Sequence, residues 1–574
     1  MPHRRTKRWQ IAEADPSASE RLVAEIGCSR VTARLLVTRG ILTPEEASDF
    51  LHPAYERLPD PMLLPDADRA IDRILAAVRA RERIYVHGDY DSDGVTAAAL
   101  WTRLLRKLGA DVRAHVPHRH RDGYDLRSKF VVQAREEGAR LIITADCGVQ
   151  RHDEVEEARR AGMDVVITDH HEPGDTLPAA AAVVNPNRRD SRYPFRPLAG
   201  VGVAFRLGEA LIRRLGLPAA SYRRAYSDLA AIGTVTDIMP LLGDNRVIVK
   251  HGLEALRATQ KPGLRALLET VGAGSRPVTT HTIGYVLGPR LNAIGRVDDS
   301  RLALDLLLTR DPAEAARLAS RLEEANLERR EAEAKILEEA LHQIETKDLA
   351  SAPCMVLVGD GWHGGVIGIV ANRLVDRFTR PTVMISLDPE TGTGRGSARS
   401  IRAFDLYEAI CQCGDELIEF GGHSHAAGFS IDTTKVPAFA DGMLRVAGAT
   451  LTDEDFVPVV PVDLEMPLRE VTPELIEELG AFEPWGHDNR EPVFLSRAVE
   501  IVEVRRIGRE QSHLKLLVRA DGGEPIDTLV WGCGELADDY AAGDRIDLCY
   551  VPRMNCYNGR TRLQLVAEDI RPAE

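Results

Sequence analysis

Between residues 84 and 184 short apolar runs alternate with stretches of helical periodicity, and this constrains the fold more than any other feature of the chain. The runs are "RIYVH", "DVRAHV", "ARLIITA", "MDVVIT" and "AAAVV"; among them lie "VTAAALWTRLLRKLG", "SKFVVQAREEG" and "HDEVEEARRAG". Short apolar strands separated by helices of about ten residues predict a parallel sheet covered on both faces. Ligands of such sheets bind outside the carboxyl ends of the strands. The residues that end each run are therefore the candidates for chemistry.

Those residues are acids and histidines. The first run ends in "HGDYDSDG", with His87 ahead of Asp89, Asp91 and Asp93. Asp146 follows "LIITA"; Asp169, His170 and His171 follow "VVIT"; Asp237 edges the apolar "AAIGTVTDIMPL". Taken singly, the aspartates have ordinary accounts as an Asp-rich turn or a helix N-cap, and the paired histidines as a surface or core feature. Together they crowd like charges, which resist joint ionisation within about 4–6 Å, so cations are expected between them. Asp91 and Asp93, two apart, point the same way if their loop stays extended. Carboxylates mixed with imidazoles suit Mn²⁺ or Mg²⁺. Cys147 alone makes no thiolate site, and the eight scattered cysteines are expected to be reduced. Two ions about 3.5–4 Å apart serve the hydrolysis of phosphoesters or phosphoanhydrides.

A chain of 574 residues exceeds one core. We expect an N-terminal helical segment at 1–75, the catalytic α/β domain at 76–310 and a charged connecting helix at 311–348. A smaller α/β domain at 349–452 and a small antiparallel barrel or sandwich at 453–574 complete the chain. No apolar stretch approaches the ~20 residues of a membrane span, and the basic N-terminus lacks a signal-like apolar segment, so cytoplasmic residence without membrane association is expected. A net charge of -15 argues mildly against a protein that coats nucleic acid, but not against a nucleic-acid enzyme.

"GDYDSDG", "TADCG", "TDHH" and "GTVTDIMPL", in this order, resemble the motifs of the DHH phosphoesterase superfamily. With "NPNRRDSRYPFRPLAGVGVAFRL", "LGPRLNAIGRVDD", "WHGGVIGIVANRL", "GSARSI", "GGHSHAAGFS" and "NCYNGRTRLQL", the resemblance extends to the bacterial RecJ single-stranded-DNA exonucleases over nearly the whole chain. It implies a multidomain α/β fold: a parallel-sheet DHH domain and a smaller DHH-associated domain, joined by a long helix, with a C-terminal OB-fold barrel. It implies that Asp91, Asp93, Asp146, His170 and Asp237 ligate two manganese or magnesium ions, leaving His87 and Asp89 as open members of the set. His171 would lie beside the reacting phosphate, Asp169 would orient a neighbouring histidine, and Arg290 would act with them. Arg119, Arg121, Asn292, Arg296, His363, Arg373, Ser397, Arg399, Ser400, His423, Trp485 and Lys515 would face the strand, as would His513, Tyr557 and Arg560. Salt bridges to Asp298 and Asp299 are the other reading of Arg290 and Arg296, and Trp531 fits a core position.

The implied activity is processive 5′→3′ degradation of single-stranded DNA to mononucleotides in repair and recombination. The protein would act as a monomer at the nucleoid, with a helicase and a single-strand-binding protein as partners. A DHH phosphatase for short oligonucleotides or pyrophosphate, and a non-catalytic DNA-binding scaffold, are the alternatives. The chain departs from the family at Asp125, where a glycine is frequent, and at "EPWGHDNREP".

Overall fold

The fold was derived from a computed structural model. It describes residues 7–118, 122–123, 125–274, 277–297, 299–520, 522–557 and 560–573, without the side chains of 296, 297, 557 and 560. Arg119, Arg121 and the side chains of Arg296, Tyr557 and Arg560 thus lie outside the described residues. The chain forms two compact units: Trp9–Gly288, Ala303–Ala316 and Val459–Glu574 make the larger, and Met1–Arg8, Pro289–Leu302 and Arg317–Pro458 the smaller.

A strand, β1 (Arg8–Ile11), which the sequence did not predict, opens the described chain. Three helices follow, α1 (Pro16–Ile26), α2 (Arg30–Thr38) and α3 (Pro44–Leu51), each started by a side-chain cap from Asp15, Ser29 or Thr43. α4 (Ala67–Ala80) runs past the expected boundary at residue 75 into the first sheet. That sheet comprises β2 (Arg83–Gly88), β3 (Val112–His115), β4 (Ala139–Ala145), β5 (Asp164–Thr168) and β6 (Ala182–Val184). Its order is β3-β2-β4-β5-β6, and every pairing is parallel. The order reverses between β2 and β4, which places a crevice at their carboxyl ends. α5 (Ser92–Lys107), α6 (Ser128–Glu136) and α7 (His152–Arg160) make the crossovers. Ile84–Gly88 and Leu141–Ala145 are buried throughout, as strands covered on both faces must be.

α8 (Gly200–Arg214), α9 (Ala219–Thr236), α10 (Gly243–Arg257) and α11 (Pro262–Thr270) follow, then a π-helical turn at Thr282–Leu287. Arg206 and Glu209 pair with no exposure to solvent; Arg206 Nε also donates to the Tyr193 hydroxyl at 3.0 Å, which donates to Asp244. Such a buried pair costs little only when its remaining donors and acceptors are met, and here they tie the segment before α8 to α8 and α10.

The chain continues through α12 (Gly288–Val297), α13 (Arg301–Leu308) and the long α14 (Pro312–Thr346), close to the expected connecting helix. In the smaller unit come β7 (Met355–Asp360), α15 (Ile367–Phe378), β8 (Thr382–Asp388), β9 (Thr393–Arg399), α16 (Leu406–Gln412), β10 (Leu417–His423), β11 (Ala426–Asp432) and α17 (Val436–Thr450). The sheet order is β10-β11-β9-β8-β7, parallel only at β7–β8.

The larger unit resumes with β12 (Val459–Val462), which pairs with β1, then β13 (Leu464–Glu465), α18 (Pro473–Leu479), β14 (Phe494–Ile507), β15 (His513–Arg519), β16 (Ile526–Val530), β17 (Arg545–Tyr557) and β18 (Arg560–Pro572). Pairing of β14 with β17 closes β14-β15-β16-β18-β17 into a five-stranded barrel. Leu22, Leu36 and Phe50 of the N-terminal helices belong to the same core as Phe482, Phe494 and Ile570. The N-terminal helices thus bury their apolar faces in the core that the C-terminal strands share.

Candidate metal centre

β2 delivers its acids where the chain turns into α5. The loop does not stay extended, so the condition for Asp91 and Asp93 to point the same way is not met. Asp91 is the N-cap of α5, accepting from the backbone N–H of Asp93 at 2.9 Å and of Gly94 at 3.1 Å. Asp93 lies inside the helix, and its carboxylate receives the first N–H groups of α8, Gly200 at 2.6 Å and Val201 at 2.8 Å. A carboxylate at a helix N-terminus is stabilised by those donors and by the helix dipole. Asp146 follows β4 with φ 67°, in the left-handed region that Asp tolerates better than most residues. Asp237 is the C-cap of α9.

Three overlapping groups result: Asp89, Asp91 and Asp146; Asp93, His170 and Asp237; and Asp146, His170 and His171. In each, one ligand atom per residue lies within 4.8 Å of the others. The five expected ligands are thus together, and Asp89 joins them. His87 enters none of these groups. It is fully buried, its ring 4.8 Å from Phe130 and stacked at 5.5 Å on His115 of the neighbouring strand.

The electrostatics are those of a crowded acid cage that the charge of His171 offsets only in part. Burial, then the charges of Asp93, Asp91, Asp237 and Asp89, hold the Asp146 carboxyl well above its usual range. Asp89 and Asp237 are raised likewise, by burial first and by Asp91 or Asp93 next. Asp89 Oδ1, Asp146 Oδ1 and Asp237 Oδ2 are buried without a hydrogen-bond partner. His170 Nε2 stands 3.1 Å from Asp146 Oδ1 and 3.6 Å from Asp237 Oδ2, outside hydrogen-bond geometry. Buried acceptors are seldom left unmet, and carboxylate oxygens facing a neutral imidazole are the donor set of a hard divalent cation. The residues fit such ions. His170 is kept neutral, pushed down to about 4 by burial and then by His171.

Asp169 orients rather than ligates. Its Oδ1 accepts from the backbone of His170 at 2.7 Å and of His171 at 3.1 Å, and lies 2.8 Å from His171 Nδ1, while Oδ2 takes the Val149 N–H. Burial lowers the His171 pKa, but the hydrogen bond and charge of Asp169, with Asp237 and Asp89, outweigh it and push the ring up to about 9.

Sequence reasoning missed the backing of this pair. Asn185 Nδ2 donates to the His171 carbonyl at 2.8 Å, and Asn187 Nδ2 donates to that of His170. Their signal was the "NPN" that follows β6. Asn187→Ala is expected to weaken Mn²⁺ binding roughly ten- to a hundred-fold, as loss of a group that orients a ligand does; titration calorimetry reads this directly. Gly200 was missed as well: a Cβ there would stand 2.5 Å from Asp146 Cβ and Oδ1.

The other expected residues divide. In the smaller unit, Arg290 forks onto Glu323, and Asp298 lies outside the described residues. Arg373 pairs with Glu333 at 2.6 Å, and the Ser400 hydroxyl is bonded to the Phe404 carbonyl. Asn292 is half-buried on α12. Ser397 and Arg399 lie on β9 against the first turn of α15: a Cβ on Gly368 would meet Ser397 Oγ at 2.7 Å and the Arg399 guanidinium at 3.1 Å. His363 shapes the turn into that helix, accepting the Gly365 N–H at its Nδ1, and His423 accepts that of His425.

In the barrel-containing unit, Trp485 is half-buried, stacked on Phe482 at 6.2 Å with the Arg39 guanidinium 5.5 Å from its ring. Lys515 is half-exposed and pairs with Asp527 at 3.0 Å. Trp531 is no core residue: it is 54% exposed, edge-on to His513 at 4.8 Å. Asp125, at φ 71°, occupies a backbone position suited to glycine and accepts from Arg151 Nε at 2.6 Å.

Comparison with known proteins agrees with this geometry. The profile of the DHH family, N-terminal domain, matches residues 83–234, the DHHA1 domain 351–452 and the RecJ OB domain 462–569. The single-stranded-DNA-specific exonuclease RecJ of Bacillus subtilis is 38% identical over 567 residues, 99% of this chain and 71% of that protein. The chain belongs to the RecJ family. The RecJ of Escherichia coli is 34% identical over 94% of this chain and 95% of its own length. The crystal structure of Thermus thermophilus RecJ in complex with Mn²⁺ superposes with a TM-score of 0.85 at 33% identity, over 99% of this chain and 80% of that one. A Mg²⁺ complex of the same RecJ gives 0.79 at 32% identity, over 99% and 79%. Among the described residues, no helix is long and apolar enough to cross a membrane.

Proposed function

We propose that this chain is a two-metal exonuclease that degrades single-stranded DNA to mononucleotides, processively and from the 5′ end. The observation that carries the reading is the set of buried carboxylate oxygens without partners at the carboxyl end of the first sheet. Membership of a family whose members are named single-stranded-DNA-specific exonucleases, with Mn²⁺ and Mg²⁺ complexes in one of them, supports the substrate and the ions.

Asp91, Asp93, Asp146, His170 and Asp237, with Asp89, would hold the ions, which when bound acidify a water and neutralise phosphodiester charge. Asp169 accepts a hydrogen bond from Nδ1–H of the protonated His171 ring and fixes its orientation. This leaves Nε2–H as the donor toward a phosphate oxygen or the departing 3′-oxygen. The neutral His170 keeps its Nε2 lone pair for a cation. Ser397 and Arg399 would take phosphates, since a guanidinium fork matches phosphate geometry. We read repair and recombination as the setting, with a helicase and a single-strand-binding protein as partners of a monomeric cytoplasmic enzyme at the nucleoid.

The test is turnover of a long 5′-labelled single strand by the purified protein with Mn²⁺ and with EDTA. Hydrolysis confined to dinucleotides or pyrophosphate would sink the reading in favour of the phosphatase, which has no use for the closed barrel. Arg399→Gln is expected to weaken oligonucleotide binding and to lower the slope of log K against log salt by roughly one, measured by anisotropy across a salt series.

A further inference from the structure

α9 ends at Thr236 and passes the chain to Asp237, a member of the acid cage, and then to Ile238. Ile238 is 69% exposed and held at φ 56°. A β-branched residue in the left-handed region is a steric outlier, and such strain persists only where neighbouring structure imposes it, commonly at sites that hold ligands. The π-helical turn Thr282–Leu287 lies against the same last turn of α9. A Cβ built on Gly284 would stand 3.7 Å from Val235 Cγ1, and one on Gly288 2.5 Å from Thr236 Cγ2. π-helical turns are rare and concentrate at functional sites. This one presents Tyr285, 76% exposed, with its ring stacked on His281 at 4.9 Å and 23°. His281 backs the tyrosine, and the strained backbone after Asp237 turns an aliphatic side chain to solvent at the same end of α9.

Nothing in the acid cage uses these groups. Carboxylates and ions deal with the phosphate; an open aromatic face and an aliphatic side chain suit the uncharged part of a nucleotide. We propose that Tyr285, backed by His281, and Ile238 form a stacking rim for the unpaired nucleobase next to the scissile phosphate. The proposal rests on the nuclease reading above and names the part of the substrate that this end of α9 takes. Every base offers a π-face, so the rim would accept any sequence. In a duplex the terminal base is held in place by its pairing partner, whereas an unpaired base is free to turn onto the rim, so the same rim favours single strands.

The test uses the full chain and an oligonucleotide whose terminal nucleotide at the attacked end is intact, abasic or 2-aminopurine. The wild type is expected to cleave the intact end with kcat/KM higher than the abasic end by roughly 5- to 150-fold, the range of one base–aromatic stack. Tyr285→Ala should lose a similar factor on the intact end and no longer distinguish the two, with an unchanged melting temperature. Tyr285→Phe should keep the preference. In EDTA, without turnover, terminal 2-aminopurine should be quenched by the wild type and by Tyr285→Phe but not by Tyr285→Ala. A wild type indifferent to the missing base, or a Tyr285→Ala protein that keeps both the preference and the quenching, overturns the rim while leaving the nuclease reading intact. A wild type that leaves every strand uncut strikes the nuclease reading itself, and is seen before any variant is made.

Discussion

Asp146→Asn is expected to lower the rate of single-strand hydrolysis about a thousand-fold or more, while the metal-free protein melts higher than wild type. Asp146 belongs to two of the three groups of metal-ligating residues, and its free Oδ1 faces His170. The charge stabilisation that metal ions lend to such a reaction is several kcal/mol, and each 1.36 kcal/mol or so is tenfold in rate. Without ions the sign for stability reverses. The carboxyl is buried among Asp93, Asp91, Asp237 and Asp89, all of which oppose its ionisation, and the amide removes that repulsion. A gain of about 1 kcal/mol corresponds to roughly 1 °C in a unit of this size, at about 2.1 cal/mol/K of unfolding entropy per residue. Asn is the right probe because φ at this position is 67°, which Asn accepts; Ala there adds about 1 kcal/mol of left-handed strain. Hydrolysis assays with Mn²⁺ and melting curves in EDTA test both halves, and an Asp146→Asn enzyme of full activity would remove the acid cage from the mechanism.

Gly200→Ala should cost about a hundred-fold in activity and roughly 1–3 kcal/mol in stability. Gly200 is the first residue of α8, where a purely local account gives the opposite sign, since Ala exceeds Gly in helix propensity by about 1 kcal/mol. The tertiary contact decides. The new Cβ would fall 2.5 Å from both Cβ and Oδ1 of Asp146. Asp146 cannot simply swing away, because the clash reaches its Cβ and its N–H is bonded to the Thr168 carbonyl at 2.9 Å. Either Asp146 leaves its place among the ligands, or α8 retreats and gives up the 2.6 and 2.8 Å bonds that its first N–H groups make to Asp93. Both outcomes damage the same centre from opposite sides. Denaturant titration and Mn²⁺-dependent kinetics on one protein check the prediction; a stabilised and fully active variant would refute the packing argument.

The first sheet was legible because its signals are local. The apolar runs at 84–88 and 141–145 are short, continuous and bounded by turns, and burial on both faces follows from that texture. The ligand types were legible for the same reason, since Asp91, Asp146 and His170 each end a strand whose direction the alternation implies. The barrel was legible only as strands. That β14 pairs with β17 to close it depends on segments far apart in the chain. The N-terminal segment was legible only as helices, because helical periodicity says which face is apolar and nothing about what covers it; their partner core lies more than four hundred residues away.

Residue types and their order along the chain were enough to define the chemistry of the centre: carboxylates and imidazoles at the ends of parallel strands, in numbers that only cations make tolerable. Tertiary structure decided the role of each group. It made Asp91 a cap as well as a ligand candidate, and set Asp93 on the first N–H groups of α8. It kept Asp89 in the cage, shut His87 away against His115 and Phe130, and committed Asp169 to holding His171. The physical reason is that donor type is a property of one residue, whereas a free lone pair is a property of its neighbours. Asp146 and Asp169 are the same amino acid after adjacent strands; one finds backbone donors for both of its oxygens, and the other leaves Oδ1 without one.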